Sequence, residues 1–236
     1  MGNRRRARRL AWAKAVVGAL AVLLVGGVVS HAVADARTEA APAPAEDTAL
    51  AVLAGLPVKG RAPKTGYERE RFGQAWLDVD RNGCDTRNDV LGAQLTDVVY
   101  TNHVRCKVES GILSDPYTGT TIRFQRGQRT SSLVQIDHVV ALSDAWQKGA
   151  RALDPAGRAA LANDPLNLQA TDGPTNARKG AGDAATWLPP NGAHRCLYVA
   201  RQIGVKERYG LWVTAAEHSA MARVLGTCPR QTVPAG

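Results

Sequence analysis

Several absences narrow the class of this chain before any motif is read. Its four cysteines, Cys84, Cys106, Cys196 and Cys228, include no C-x-x-C pair, which argues against a structural zinc site. No internal repeat is visible, so the 236 residues read as one sizeable domain with extensions. The uncharged apolar run at residues 15–29 is short of the roughly 20 residues that a membrane-spanning helix needs. No acid occurs among the first 34 residues, whereas Arg4, Arg5, Arg6, Arg8, Arg9 and Lys14 all do. Those six cations supply most of the formal charge of +9, so net charge is weak evidence for a polyanionic partner of the remaining chain.

What is present begins with that basic head. The apolar run follows it, and Ala32-Val33-Ala34 then supplies the small residues a signal peptidase requires. This order predicts a signal peptide at 1–34 that engages the export machinery and the membrane only transiently, and a secreted product. An uncleaved membrane anchor is the alternative. In an exported chain an even cysteine count favours two disulfides. Three pairings stay open, with Cys84–Cys106 and Cys196–Cys228 favoured because each closes a short segment.

Residues 35–63, rich in Ala and Pro, read as a tether, and 64–230 as the folded domain. Helix is expected at 67–77, briefly from Thr86 to Leu91, at 143–150, from Asp154-Pro155 toward Ala162, and at 195–209. A Thr214-Ala215-Ala216-Glu217 capping box opens a last helix that stops at Gly226. Strands are expected at 98–100, 105–109 and 121–124, and along Leu133-Val134-Gln135-Ile136-Asp137-His138. Strands and helices mix without regular alternation, so the expected class is α+β.

The last of those strands carries the most chemistry. It delivers a carboxylate and an imidazole to its end, and Asn167, Asn176 and Lys179 follow. An imidazole near neutrality can deprotonate water, and Mg²⁺ takes one or two protein oxygens. Asp137 and Asn176 could supply them. On a regular strand His138 and Asp137 point to opposite faces, so one site can use both only if the strand twists or ends there.

Gln135-Ile136-Asp137-His138-Val139-Val140, then Asn167-Leu168, then Asn176-Ala177-Arg178-Lys179, resembles the ββα-metal motif of HNH endonucleases. The wider resemblance is to GmrSD-type HNH proteins, including secreted actinobacterial members. Its flanking stretches appear here as Asn82-Gly83-Cys84-Asp85-Thr86-Arg87, Asp115-Pro116-Tyr117-Thr118-Gly119 and Ala184-Ala185-Thr186-Trp187-Leu188-Pro189-Pro190. The resemblance covers roughly residues 66–228. It implies an α+β fold built on a ββα-metal core, with added helices and an N-terminal strand and helix region. By the same resemblance Asp137 and Asn176 are metal ligands, His138 is the general base, and Asn167 holds the loop and the imidazole in place. The step of 29 positions from His138 to Asn167 exceeds that of the compact motif, and helices between 143 and 162 are expected to fill it.

The implied activity is hydrolysis of DNA phosphodiesters with low sequence specificity, assisted by Mg²⁺ or a similar divalent ion such as Mn²⁺. Nucleic acid is then the partner, and no feature marks a stable protein partner. Arg87 and Lys179 are candidate phosphate contacts, against the plainer alternatives of a loop salt bridge and a solvated lysine. Asp78-Val79-Asp80-Arg81-Asn82-Gly83 matches the first half of an EF-hand loop, with Asp89 twelfth where Glu is normal. A Ca²⁺ site there, in a non-enzymatic secreted or cell-envelope module, is the competing function. His103, His194 and His218 lack partners at ligand spacing, and Trp187 and Trp212 read as core.

Overall fold

The computed structural model describes residues 48–101 and 105–235. The proposed signal peptide, the first part of the tether and His103 lie outside the described residues. The described residues form one compact unit.

Helix α1 (Ala49–Gly55) opens it, capped by the Thr48 side chain. Its Ala49 and Leu53 are fully buried against the two C-terminal helices, so residues 49–55, inside the stretch expected as a tether, pack with the folded unit. The Ala-rich composition masks a capped run of good helix formers whose apolar face finds a partner. The helix expected at 67–77 shrinks to a single 3₁₀ turn, Arg69–Phe72. Gly73 (φ 86°) and Trp76 (φ 58°) adopt left-handed backbone, which cannot continue a right-handed helix.

Helix α2 (Thr86–Gln94) is capped by Asp85, whose carboxylate accepts the Asn88 amide, so the cap falls one residue before Thr86. Strands β1 (Thr96–Tyr100), β2 (Val108–Ser114) and β3 (Thr121–Gln125) form an antiparallel sheet in that order. The strand expected at 105–109 therefore begins later and runs longer, because β2 pairs along both edges. Strand β4 (Val134–His138) pairs antiparallel with β5 (Leu168–Asp172), from Val134 opposite Asp172 to His138 opposite Leu168. Between them lie α3 (Leu142–Gln147), α4 (Pro155–Asn163) and two 3₁₀ turns, filling the long gap as expected.

Helix α5 (Gly173–Lys179) begins directly after β5, with Asp172 capping it through the Thr175 amide. A Cβ on Gly173 would sit 2.1 Å from the Ser132 carbonyl oxygen, so this tight junction needs glycine. Helices α6 (Arg195–Arg208) and α7 (Ala215–Leu225) complete the fold, the latter with the expected capping box. Disulfides join Cys84 to Cys106 and Cys196 to Cys228, the favoured pairing. The second ties the start of α6 to the chain just beyond α7. The result is a mixed α+β fold with two small antiparallel sheets.

Three hydrophobic clusters make up the core, and they meet on one short stretch. Val134 and Ile136 enter the cluster under the three-stranded sheet. Val139 enters the cluster of α1, α6 and α7. Val140 joins Trp146, Leu161 and Leu211 in the third. The end of β4 is thereby immobilised from three sides, a rigid mount for polar side chains.

Candidate active site

Strand β4 ends at His138, where its pairing with β5 also stops. A cavity of about 180 Å³ opens at this end, lined by Asp137, His138 and Asn176 together with Arg69, Ala141 and Leu142. The side chains that had to share one site despite strand alternation border one space.

Asp137 is 5% exposed and accepts a hydrogen bond on each oxygen. The Tyr117 hydroxyl donates to Oδ2 at 2.6 Å, and Lys179 Nζ donates to Oδ1 at 2.9 Å. Burial, and then the neighbouring Asp137 charge, push the Tyr117 phenol well above its usual range, so it keeps its proton as a donor. Lys179 also donates to the His138 carbonyl at 2.7 Å. It stands one turn after Asn176 on α5, buried and ion-paired. Its ammonium neutralises a carboxylate that would otherwise be an uncompensated buried charge.

His138 is equally enclosed. Its Nε2 lies 2.9 Å from the Ala162 carbonyl oxygen. A carbonyl only accepts, so Nε2 carries the hydrogen and Nδ1 is the basic nitrogen, a tautomer assigned from the partner. Burial lowers the imidazole pKa to about 4, with Arg69 and Lys179 adding to the effect against the Ala162 bond. The ring is therefore neutral at pH 7. The Ala162 carbonyl comes from α4, so the inserted helices orient this imidazole.

Asn167 is fully buried. Its Oδ1 accepts the Val140 amide at 2.8 Å, and its Nδ2 donates to the Leu161 carbonyl at 3.1 Å. Its own carbonyl accepts the Val139 amide. It clamps the chain leaving His138 to the end of α4. Asn176 donates from Nδ2 to Gln135 Oε1 at 2.8 Å, leaving Oδ1 as the acceptor of that amide.

Arg87 is absent from the cavity. Its Nη2 donates to the Val134 and Ser131 carbonyls at 3.0 and 3.3 Å, and burial, then Arg126, lower its pKa. It braces the start of β4. In the acidic loop Asn82 Nδ2 bonds Asp80 and Asp89, and the Asn82 and Gly83 amides bond Asp78. Among the described residues no group of three or more His, Cys, Asp or Glu is arranged to hold a metal. His194 packs against the Tyr117 ring at 6.0 Å, and the partly buried Trp187 packs tilted against Tyr117 and edge-to-face against Tyr198. Tyr117, which holds Asp137, and Arg69, which borders the cavity, are the residues here that sequence reasoning missed. Only Tyr117 had a signal, as the centre of the Asp115–Gly119 turn.

The family model for the C-terminal domain of GmrSD restriction endonucleases matches residues 85–224, which contain β4, β5, α5 and the Tyr117 turn. An uncharacterized secreted protein of Arthroderma benhamiae (strain ATCC MYA-4681 / CBS 112371) is 36% identical over 187 residues, covering 78% of this chain and 87% of the relative. No solved structure matches. The described residues hold no helix long and apolar enough to cross a membrane. With the model spanning more than half of the sequence, the chain belongs to the GmrSD restriction endonuclease C-terminal domain family.

Proposed function

We propose that this protein is a secreted endonuclease that hydrolyses DNA phosphodiester bonds with low sequence specificity, with β4, β5 and α5 as its ββα-metal unit. The observation that carries the reading is His138: a neutral imidazole, its Nε2 fixed by the Ala162 carbonyl, bordering one cavity with Asp137 and Asn176. In this role His138 Nδ1 takes a proton from the attacking water. Asn167 is a positioning residue that holds the backbone leaving His138.

The donor set fits a hard divalent cation such as Mg²⁺ or Mn²⁺. Asp137 and Asn176 offer oxygens at one cavity, and a carboxylate accepting two hydrogen bonds retains lone pairs. Asp137 and Asn176 would hold the ion, which when bound supplies charge neutralisation at the phosphate and the departing oxygen. Lys179 and Tyr117 then fix the direction in which Asp137 presents its free lone pairs. Contacts to phosphate position DNA without reading its bases, hence the low specificity. Two disulfides and the secreted relative support release through a leader at 1–34.

Supercoiled plasmid incubated with the protein and Mg²⁺ should be nicked, and a chelator should stop the reaction. His138→Ala should cut about 10²- to 10⁴-fold more slowly with an unchanged circular dichroism spectrum. Undiminished cutting by a folded His138→Ala protein sinks the mechanism.

A further inference from the structure

A second cavity, of about 120 Å³, lies against the candidate site and shares its His138, Leu142 and Arg69 walls. Its remaining lining is largely apolar, with Phe72, Trp76 and Ala162 prominent. Trp76 is half-buried, and its indole lies nearly parallel to the His138 ring, 12° apart in plane and 6.4 Å between centroids. The residue is held in left-handed backbone at φ 58°, a conformation costly for a bulky side chain that persists where the surroundings impose it, most often at functional sites. The exposed residue Arg69 borders both cavities. Glu70 also lines this one, so it combines an apolar floor, an aromatic face, a cation toward the reaction site and one carboxylate.

That combination suits one kind of occupant. Resting on the nuclease reading above, we propose that this cavity receives the unstacked base of a nucleotide next to the scissile phosphate, with the base on the Trp76 indole and Arg69 on the adjoining phosphate. A phosphate in the first cavity places its neighbouring base within reach of the second, because His138 and Arg69 wall both. Aromatic stacking accepts any base, which agrees with low sequence specificity. A paired base cannot reach such a face without leaving its stack, so the protein favours single-stranded or locally melted DNA over intact duplex.

The test uses the full chain in chelator, so that binding is read without cleavage. Fluorescence anisotropy compares oligothymidylate with an abasic oligonucleotide of equal length, and with the same oligothymidylate annealed to its complement. The expected result is tighter binding of the single strand than of either competitor. Trp76→Ala should shrink the advantage over the abasic strand by about fivefold or more, and Trp76→Tyr should restore most of it. Arg69→Gln should weaken binding of both single strands alike. An advantage unchanged in Trp76→Ala, or no binding of oligothymidylate by the wild type, overturns the subsite. The plasmid assay reports separately on the nuclease reading, so the two can fail independently.

Discussion

A buried carboxylate needs a donor on each oxygen, and at Asp137 one of the two is a phenol twenty residues earlier in the chain. Tyr117 reaches it because Asp115 anchors the turn. Asp115 accepts the Thr118 amide and hydroxyl, and it accepts the Thr171 hydroxyl of β5 at 2.7 Å. Tyr117→Phe keeps the ring packing but removes that donor. It should destabilise the protein by about 1–3 kcal/mol, read as a lower urea midpoint, and slow cleavage by freeing Asp137 to rotate. An unchanged midpoint would show that another donor replaces the phenol. His194 makes a second prediction at this scale. Burial, then Arg201, lower its pKa from 6.5 to about 4. Between those values the unfolded chain binds the proton more readily than the folded one, so stability is full above about pH 6.5 and declines as pH falls toward 4. His194→Gln should lose less Tm between pH 7 and pH 5 than the wild type. The His138 slope has the same sign in both proteins, so their difference isolates His194. Equal losses would refute it.

At the scale of elements, local chemistry was readable wherever it was self-contained. Asp154-Pro155 opens α4 and Thr214 with Glu217 opens α7 as their side chains demand, because caps act within four residues. Strand β4 was equally legible from its apolar run. The misses share one cause. Residues 69–76 have helical composition, yet Trp76 and Gly73 turn left-handed to line the cavity beside His138, so a tertiary demand overrode propensity. Residues 49–55 look like tether until α6 and α7 offer a surface to cover. Arg87 and Lys179 are candidate phosphate contacts by sequence, and in the fold one donates to the Val134 carbonyl and the other to Asp137. A sequence shows a charge but not the partner that consumes it.

Across the described residues, distant segments are joined by a buried ionic cluster whose members do not line the candidate cavity. Lys148 and Lys206 are fully buried. Lys148 Nζ lies 2.8, 2.8 and 2.6 Å from Asp144, Asp183 and Glu217, and Lys206 Nζ lies 3.1 Å from Glu217. Arg61 reaches in from the N-terminal segment to Asp144 and Asp183 at 2.7 and 2.5 Å. Burial by itself would lower the Lys148 ammonium, but Asp144, Glu217 and Asp183 outweigh it and hold its pKa above the usual value. Lys148→Met would strand three buried carboxylates with too little positive charge. It should cost about 3–5 kcal/mol in denaturant unfolding, and a loss under about 1 kcal/mol would show that Lys206 and Arg61 suffice.

By itself the sequence determined the strand that presents Asp137 and His138, the caps of the later helices and the α+β mixture, since each follows from periodicity or from side chains a few residues apart. For the cysteines it left three pairings, one of them favoured, and the folded chain holds that one. Only the tertiary structure decided that Tyr117 and Lys179 hold Asp137, that Ala162 orients His138, and that Arg69 and Trp76 stand beside them. Those contacts span from 20 to almost 70 positions of chain. They exist because three hydrophobic clusters converge on one strand end, and burial in space follows total packing, not local pattern.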